Sequence, residues 1–429
     1  MSDSIFDRVW KLGGAAGRIA FSLAGAAGDA AINATKLASL TKAVQSLAEL
    51  KGAPMKLGQM LSLQEGMFPP EVQKAFAQLR KDADPIPFDQ VREIIRNELG
   101  EKSEQLLEIE EKPLGSASLG QVHAARLSDG TEVVVKVQYP DMRRALGTDL
   151  AVLRTILGAL SPIMNVPMGP VLKEIRTRLL EEIDYAHEAE NVRRMREQFA
   201  DLDWLLMPEV VSELSTDRLI TLTRLRGLTH QEATAQEQSM RDIWGKRLLE
   251  FMVRSVFQKH VLHADPNAAN LAFAPDGKII VYDFGCIKHV PESIAANYFA
   301  IVRDVLANRT ETIPDHLKRA GIHLKNGNPV SHTFLESILV FHQDTFPDRE
   351  LGFAESPDVY TRLWEIGSRD FFESRNIVFP PDILFIHRTF GGHFGNLRGL
   401  APRANWHQFL ASLLREIAHI APGNFAQDA

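Results

Sequence analysis

The clearest chemical signal in the 429-residue chain is carried by two aspartates and an asparagine. His263-Ala-Asp265 is followed five residues after the aspartate by Asn270, and thirteen residues further on by Asp283 in Tyr282-Asp283-Phe284-Gly285. In phosphoryl transfer of the kinase type, a loop aspartate orients the nucleophile or takes its proton. An asparagine five positions on and the aspartate of Asp-Phe-Gly then hold the metal ions that neutralise the phosphates. Oxygen donors of this kind suit Mg2+. Taken singly, Asp265 and Asp283 read as turn residues beside strands; their joint spacing favours the catalytic reading.

A second signal lies upstream. Gly115-Ser116-Ala117-Ser118-Leu119-Gly120-Gln121-Val122 fits the nucleotide loop G-x-G-x-x-G-x-V, with Ala117 in place of the middle glycine. A Rossmann loop would open a helix. This one runs instead into a strand, a turn and Val133-Val-Val-Lys136-Val, which puts Lys136 inside a strand with apolar neighbours. An unpaired buried lysine is costly, so Lys136 calls for a phosphate or a carboxylate opposite; the competing reading is an edge-strand lysine in solvent. Candidate carboxylates crowd a helix expected from about Arg176 to Met195: Glu181, Glu182, Asp184, Glu188 and Glu190. Glu181, Asp184 and Glu188 share one face at helical spacing. Such a stripe needs either solvent, the reading for Glu190, or a lysine or metal opposite.

Those residues require particular elements. Hydrophobic periodicity predicts helices over Ile32–Leu50, Pro70–Arg80 and Phe88–Leu99, the last stopped by Gly100. Short strands follow over Ser118–Leu127 and Thr131–Gln138, joined by Ser128-Asp129-Gly130. The pattern is helical again from Met142 to Phe199, broken by Pro162, Pro167 and Pro170, and then strand-like over Val210–Leu225. A long helix over Met240–His260 precedes a hairpin, Asn270–Phe273 and Ile279–Tyr282, that brings Asn270 and Asp283 together. The last 140 residues read as mostly helical.

Composition sets the outer limits. With 45% hydrophobic and 24% charged residues, the chain falls in the globular class, and its length suits two or three domains. A net charge of −7 gives no basic footprint for nucleic acid. The single cysteine, Cys286, rules out a disulfide framework and points to a reducing, cytoplasmic compartment. Zinc at His260, His263, His387 or His393 is disfavoured, because no cysteine or third ligand stands near. For Arg388 and Arg398, near Gly391-Gly392, surface salt bridges are favoured over contact with a partner or a lipid head group. Residues 1–60 carry a net +3 against −10 for the remainder. The Ala/Gly-rich stretch Leu12–Ala34 is interrupted by Arg18, Asp29, Asn33 and five glycines, so it is not expected to span a membrane. With Asp3 and Asp7 early in the chain, no secretory signal is expected. The basic lead-in Arg8–Lys36 is the candidate for peripheral contact with the inner face of an anionic membrane.

On these motifs the chain resembles the UbiB/AarF-type atypical kinase family, associated with ubiquinone and other isoprenoid-lipid metabolism. Lys56-Leu-Gly58-Gln59 matches that family's K-x-G-Q motif, and Ala117 its substitute for the loop glycine. The resemblance runs from about Ala53 to Gly285, and on toward the C-terminus. It implies an α+β, bilobal protein-kinase-like fold: an N-terminal helical extension (1–110), a kinase-like N-lobe (111–226) and a mostly helical C-lobe (227–429). It implies ATP and Mg2+ as cofactors, with Gly115, Ser116, Ala117, Ser118, Gly120, Val122 and Lys136 on the nucleotide. By the same token Glu188 pairs with Lys136, Asp265 is the catalytic-loop aspartate, Asn270 and Asp283 hold metal, and Lys56 and Gln59 fold over the site toward the E-x-D carboxylates Glu182 and Asp184. A methyl at Ala117 restricts the loop's backbone, so Ala117→Gly is expected to change nucleotide affinity and permit autophosphorylation. The chain departs from the family pattern at Gly115-Ser116, where alanines are common. As in the family, no Ala-Pro-Glu follows Asp-Phe-Gly, which argues against a signalling protein kinase. The implied function is Mg-dependent ATP hydrolysis or phosphoryl transfer, with an isoprenoid lipid, a quinone precursor or quinone-biosynthesis proteins as further partners. A protein kinase and a nucleotide-sensing, lipid-binding scaffold are the rival readings.

Overall fold

The alternation of Val133, Val135 and Val137 with Glu132, Val134 and Lys136 makes one strand with a fully buried face. In the computed structural model, which describes residues 85–116, 119–142, single positions between 144 and 154, 168–356 and 376–420, that strand lies in the first of two units. The first unit takes the described residues up to Glu190 together with Glu209–Arg224; the second takes Asn191–Pro208 and Leu225 onward. The readings made for Lys56, Gln59, Ala117, Ser118 and the helices before Pro85 lie outside the described residues.

The first unit is built on strands β1 (Leu106–Leu107), β2 (Gly115–Ser116), β3 (Gly120–Leu127), β4 (Glu132–Gln138) and β6 (Leu219–Thr223). They pair in the order β1-β3-β4-β6, with β2 added to β3. The β3–β4 hairpin turns at Asp129-Gly130, where Gly130 takes φ 89° and Asp129 accepts the Thr131 N–H at 2.8 Å. Helix α1 (Phe88–Leu99) lays Val91, Ile95 and Leu99 onto Val133, Val135 and Val137, and Gly100 ends it at φ 58°. Gln121 ties the chain entering α1 to the sheet: its Oε1 accepts the Ile86 N–H at 2.9 Å. Of the stretch Val210–Leu225, only β6 forms a regular strand. A 3-10 turn over Ser212–Leu214 and one isolated bridge, Val210 to Leu222, occupy the rest.

The expected acidic helix is two helices. Helix α2 (Met168–Glu182) ends before Ile183-Asp184, and α3 (Tyr185–Gln198) begins after them. Asp184 is the N-cap of α3, its Oδ1 accepting the His187 N–H at 3.0 Å. The single stripe of Glu181, Asp184 and Glu188 is therefore broken: Asp184 serves the backbone of its own helix. Pro170 does not interrupt α2 but stands in its first turn, where the missing N–H costs nothing.

In the second unit, a four-stranded sheet runs β5 (Leu205–Leu206), β10 (Ile279–Val281), β9 (Leu271–Phe273) and β7 (Leu228–Thr229). A separate two-stranded ribbon pairs β8 (Val261–His263) with β11 (Ile287–His289). Around them pack α4 (His230–Thr234), α5 (Gln238–Phe257), α6 (Glu292–Leu306), α7 (Ile313–Arg319), α8 (His332–Thr345), α9 (Pro381–Leu400) and α10 (Trp406–Ile420). The short ribbons β12 (His323–Leu324) with β14 (Ile377–Val378) and β13 (Glu350–Gly352) with β15 (Arg403–Asn405) complete it. A capping box of Thr229 and Glu232 starts α4. Trp244, Phe251, Phe273, Phe284, Phe353 and Trp406 are fully buried in this unit and make its aromatic core. Among the described residues, no helix is long and apolar enough to cross a membrane.

Candidate active site

In the first unit, β4 presents Lys136 on the face opposite its three buried valines, in register with Val122 on one side and Ile220 on the other. Helix α3 brings Glu188 to it. The Lys136 ammonium reaches both carboxylate oxygens, at 2.8 and 3.0 Å, with side-chain exposures of 14% and 2%. The pair is thus desolvated and bidentate, the geometry in which a buried charge is tolerated. The Tyr185 ring lies 5.0 Å from the ammonium, adding a cation–π contact. Of the five candidate carboxylates, the structure brings Glu188 to the lysine. Glu182 closes α2, and Asp184 caps α3.

The nucleotide-loop residues Gly115 and Val122 face each other across β2 and β3, and Ser116 pairs with Gln121 through the backbone. Gly120 has a steric reason to be glycine: an added Cβ would stand 2.4 Å from the Val137 carbonyl oxygen and 2.7 Å from the Tyr185 hydroxyl.

The second unit carries Asp265, Asn270 and Asp283. The β9–β10 hairpin turns at Gly277, φ 89°, and its register places Val281 opposite Leu271. The Tyr282 N–H donates to the Asn270 carbonyl at 2.9 Å, so Asn270 and Asp283 flank the open end of one hairpin. Asn270 Nδ2 donates to Asp265 Oδ2 at 3.0 Å, which leaves Asn270 Oδ1 as the atom offered to a cation. Asp283 adopts φ 54°, a left-handed conformation that aspartate tolerates better than most residues, and its Oδ1 accepts the Gly285 N–H at 3.1 Å.

Two hydrogen bonds hold the Asp-Phe-Gly backbone and a third holds the residue that follows it. His263 Nε2–H donates to the Asp283 carbonyl at 2.6 Å, Asn191 Nδ2 to the Phe284 carbonyl at 2.9 Å, and the Ala264 N–H to the Cys286 carbonyl at 2.8 Å. A carbonyl only accepts, so His263 carries its hydrogen on Nε2. The Phe284 ring is fully buried, edge-on to His263 at 5.6 Å. His393 of α9 is buried near His263, and that burial, with His263's charge adding to it, pushes its imidazole down to about 3.

Sequence reasoning assigned His263 a structural part but missed what it holds, although its place two residues before Asp265 is a signal. It did not single out Asn191 or Tyr185. Of the two arginines read as surface ion-pair formers, Arg388 donates Nη2 to the Ala264 carbonyl at 2.9 Å, and Arg398 donates to the Ser356 carbonyl.

A strand lysine paired with a helix glutamate, and an Asp, an Asn and an Asp-Phe-Gly arranged around one hairpin, are the parts of a kinase-like fold. The chain belongs to the ABC1 atypical kinase-like domain family, whose model matches residues 78–317. It is 32% identical over 272 residues to the mitochondrial atypical kinase COQ8B of Danio rerio, covering 62% of this chain and 43% of that protein. Over 365 residues it is 27% identical to the mitochondrial atypical kinase coq-8 of Caenorhabditis elegans, covering 83% and 48%. The chain spans about half the length of the curated relatives it matches. The fold is similar to that of Rv3197 from Mycobacterium tuberculosis, solved in complex with erythromycin. That match has a TM-score of 0.65 at 24% identity and covers 88% of this chain and 95% of that one.

Proposed function

We propose that the protein binds ATP and carries out Mg2+-dependent hydrolysis or phosphoryl transfer, in support of ubiquinone or other isoprenoid-lipid metabolism. The observation that carries this reading is the buried, bidentate Lys136–Glu188 pair. A lysine so held is pre-positioned for the α- and β-phosphates. The donor set of the second unit fits Mg2+. Asn270 Oδ1 and the Asp283 carboxylate are hard oxygens, and this ion takes one or two protein groups and completes its shell with phosphate and water. When bound, the metal would neutralise charge on the phosphates. Asp265, fixed through Asn270, would orient the attacking water or hydroxyl and accept its proton. His263 and Asn191 hold the backbone of the metal-ligating loop, so the arrangement works by positioning and charge neutralisation. The ubiquinone link comes with the family resemblance and the COQ8 relatives.

The test is ATP turnover by the purified full chain, with and without anionic liposomes, in wild type and in Asp265→Asn. Turnover that rises with lipid and vanishes in the variant is the expected result. Equal turnover in the two proteins would sink the reading.

A further inference from the structure

Three residues of α9 lie at one helical stripe, i, i+4 and i+8: Arg388, Gly392 and Asn396. Each touches the loop that carries Asp265. Arg388 Nη2 donates to the Ala264 carbonyl at 2.9 Å, and Asn396 Nδ2 donates to the Pro266 carbonyl at 3.0 Å. Between them, the Pro266 ring lies against Gly392 so closely that a Cβ there would stand 2.4 Å from the ring's Cγ. The two carbonyls bracket Asp265. Pro266 fixes its own φ and keeps the residue before it out of the helical region. The Ala264–Asp265 peptide is hydrogen-bonded to α9 through its carbonyl, and the peptide that follows Pro266 is held the same way, so little backbone freedom is left to Asp265.

We propose that the Arg388–Gly392–Asn396 stripe is a cradle that sets the backbone of the 263–270 loop and thereby aims the Asp265 carboxylate. Arg388 and Asn396 are thus positioning residues for the reaction. The assignment rests on the phosphoryl-transfer reading for its catalytic consequence, and on geometry alone for the loop. The contacts that define the stripe go to the loop's carbonyls and to the Pro266 ring. It acts through the loop, and a small misalignment there is enough to cost a large factor in rate.

The experiment uses the full chain with Arg388→Ala, Arg388→Lys and Asn396→Ala. In each alanine variant, kcat for ATP should fall by about ten- to a hundredfold while the KM for ATP stays within about twofold. Arg388→Lys, which keeps a donor, should recover most of the loss. In the Asp265→Asn background the same alanine changes should add little, because the group they aim is already gone. Hydrogen exchange of the peptide spanning 263–270 should quicken in the alanine variants while peptides elsewhere keep their rates. This readout needs no activity. A wild type without turnover but with quickened loop exchange in the variants would end the phosphoryl-transfer reading and leave the cradle standing. Unchanged loop exchange overturns the cradle, as does a loss of rate that adds in full to Asp265→Asn. If the alanine variants unfold, Arg388→Lys decides: a folded protein with wild-type loop exchange and rate supports the cradle, and one as impaired as a deletion of the contact overturns it.

Discussion

Lys136 and Glu188 show how little slack a buried ion pair leaves. Removing the lysine strands a carboxylate that is 2% exposed, a change that costs about 3–5 kcal/mol in comparable buried pairs. Lys136→Met should therefore lower the unfolding free energy by about 3 kcal/mol in urea titrations. The double change Lys136→Met with Glu188→Leu should return most of it, because no charge is then left alone. If the double variant is no more stable than the single one, the pair is not what is being lost. Asp283 makes the opposite case. Asparagine tolerates its left-handed backbone at φ 54° about as well, so Asp283→Asn should keep the thermal midpoint while abolishing Mg2+-dependent ATP turnover. A midpoint that drops by many degrees would mean the carboxylate is structural.

Among the elements, the β3–β4–α3 assembly is closely packed around Gly120. Gly120 on β3 has the Val137 carbonyl of β4 and the Tyr185 hydroxyl of α3 where a methyl would go. Backbone of a central strand cannot move aside, so Gly120→Ala should cost about 2 kcal/mol. Adding Tyr185→Phe should recover only the hydroxyl's share, which denaturant midpoints of the two variants would resolve. Much of this assembly was legible in advance. Asp129-Gly130 announced the first hairpin and alternating valines announced β4, just as Pro275-Asp276-Gly277 between two short apolar runs announced the hairpin of the second unit. The acidic helix was misread because carboxylate spacing was weighed above a local stop. Asp184 followed by a fresh helical run is an N-cap signature, and it splits the stripe. The part of α9 was out of reach for a different reason. Arg388 and Asn396 meet the loop across 124 and 130 residues of sequence, and only tertiary packing brings such positions together.

For the whole molecule, acidity is the relevant stress. Burial holds His393 down to about 3 and His342 down to about 4, the latter with His407's charge adding to it. Their counterparts in the unfolded chain take up protons near pH 6.5. Protons therefore favour the unfolded chain: the stability is fully present above that pH and is lost as pH falls toward 4 and then 3. Each group contributes a slope of at most about 1.4 kcal/mol per pH unit. Thermal midpoints should drop by about 5 °C or more from pH 7 to pH 5, and His393→Gln should narrow the gap. An unchanged gap in that variant would assign the acid sensitivity elsewhere. The anchored Phe284 bears on inhibitor design. Freeing its ring means breaking three hydrogen bonds, about 1 kcal/mol each, and exposing an aromatic side chain worth about 2 kcal/mol. About 5 kcal/mol leaves the displaced state to roughly one molecule in several thousand. A compound that needs the ring out of the way would forfeit that factor in affinity, and Asn191→Ala would return about fivefold of it. Medicinal chemistry against this chain should therefore start from ligands that accept the phenylalanine where it is.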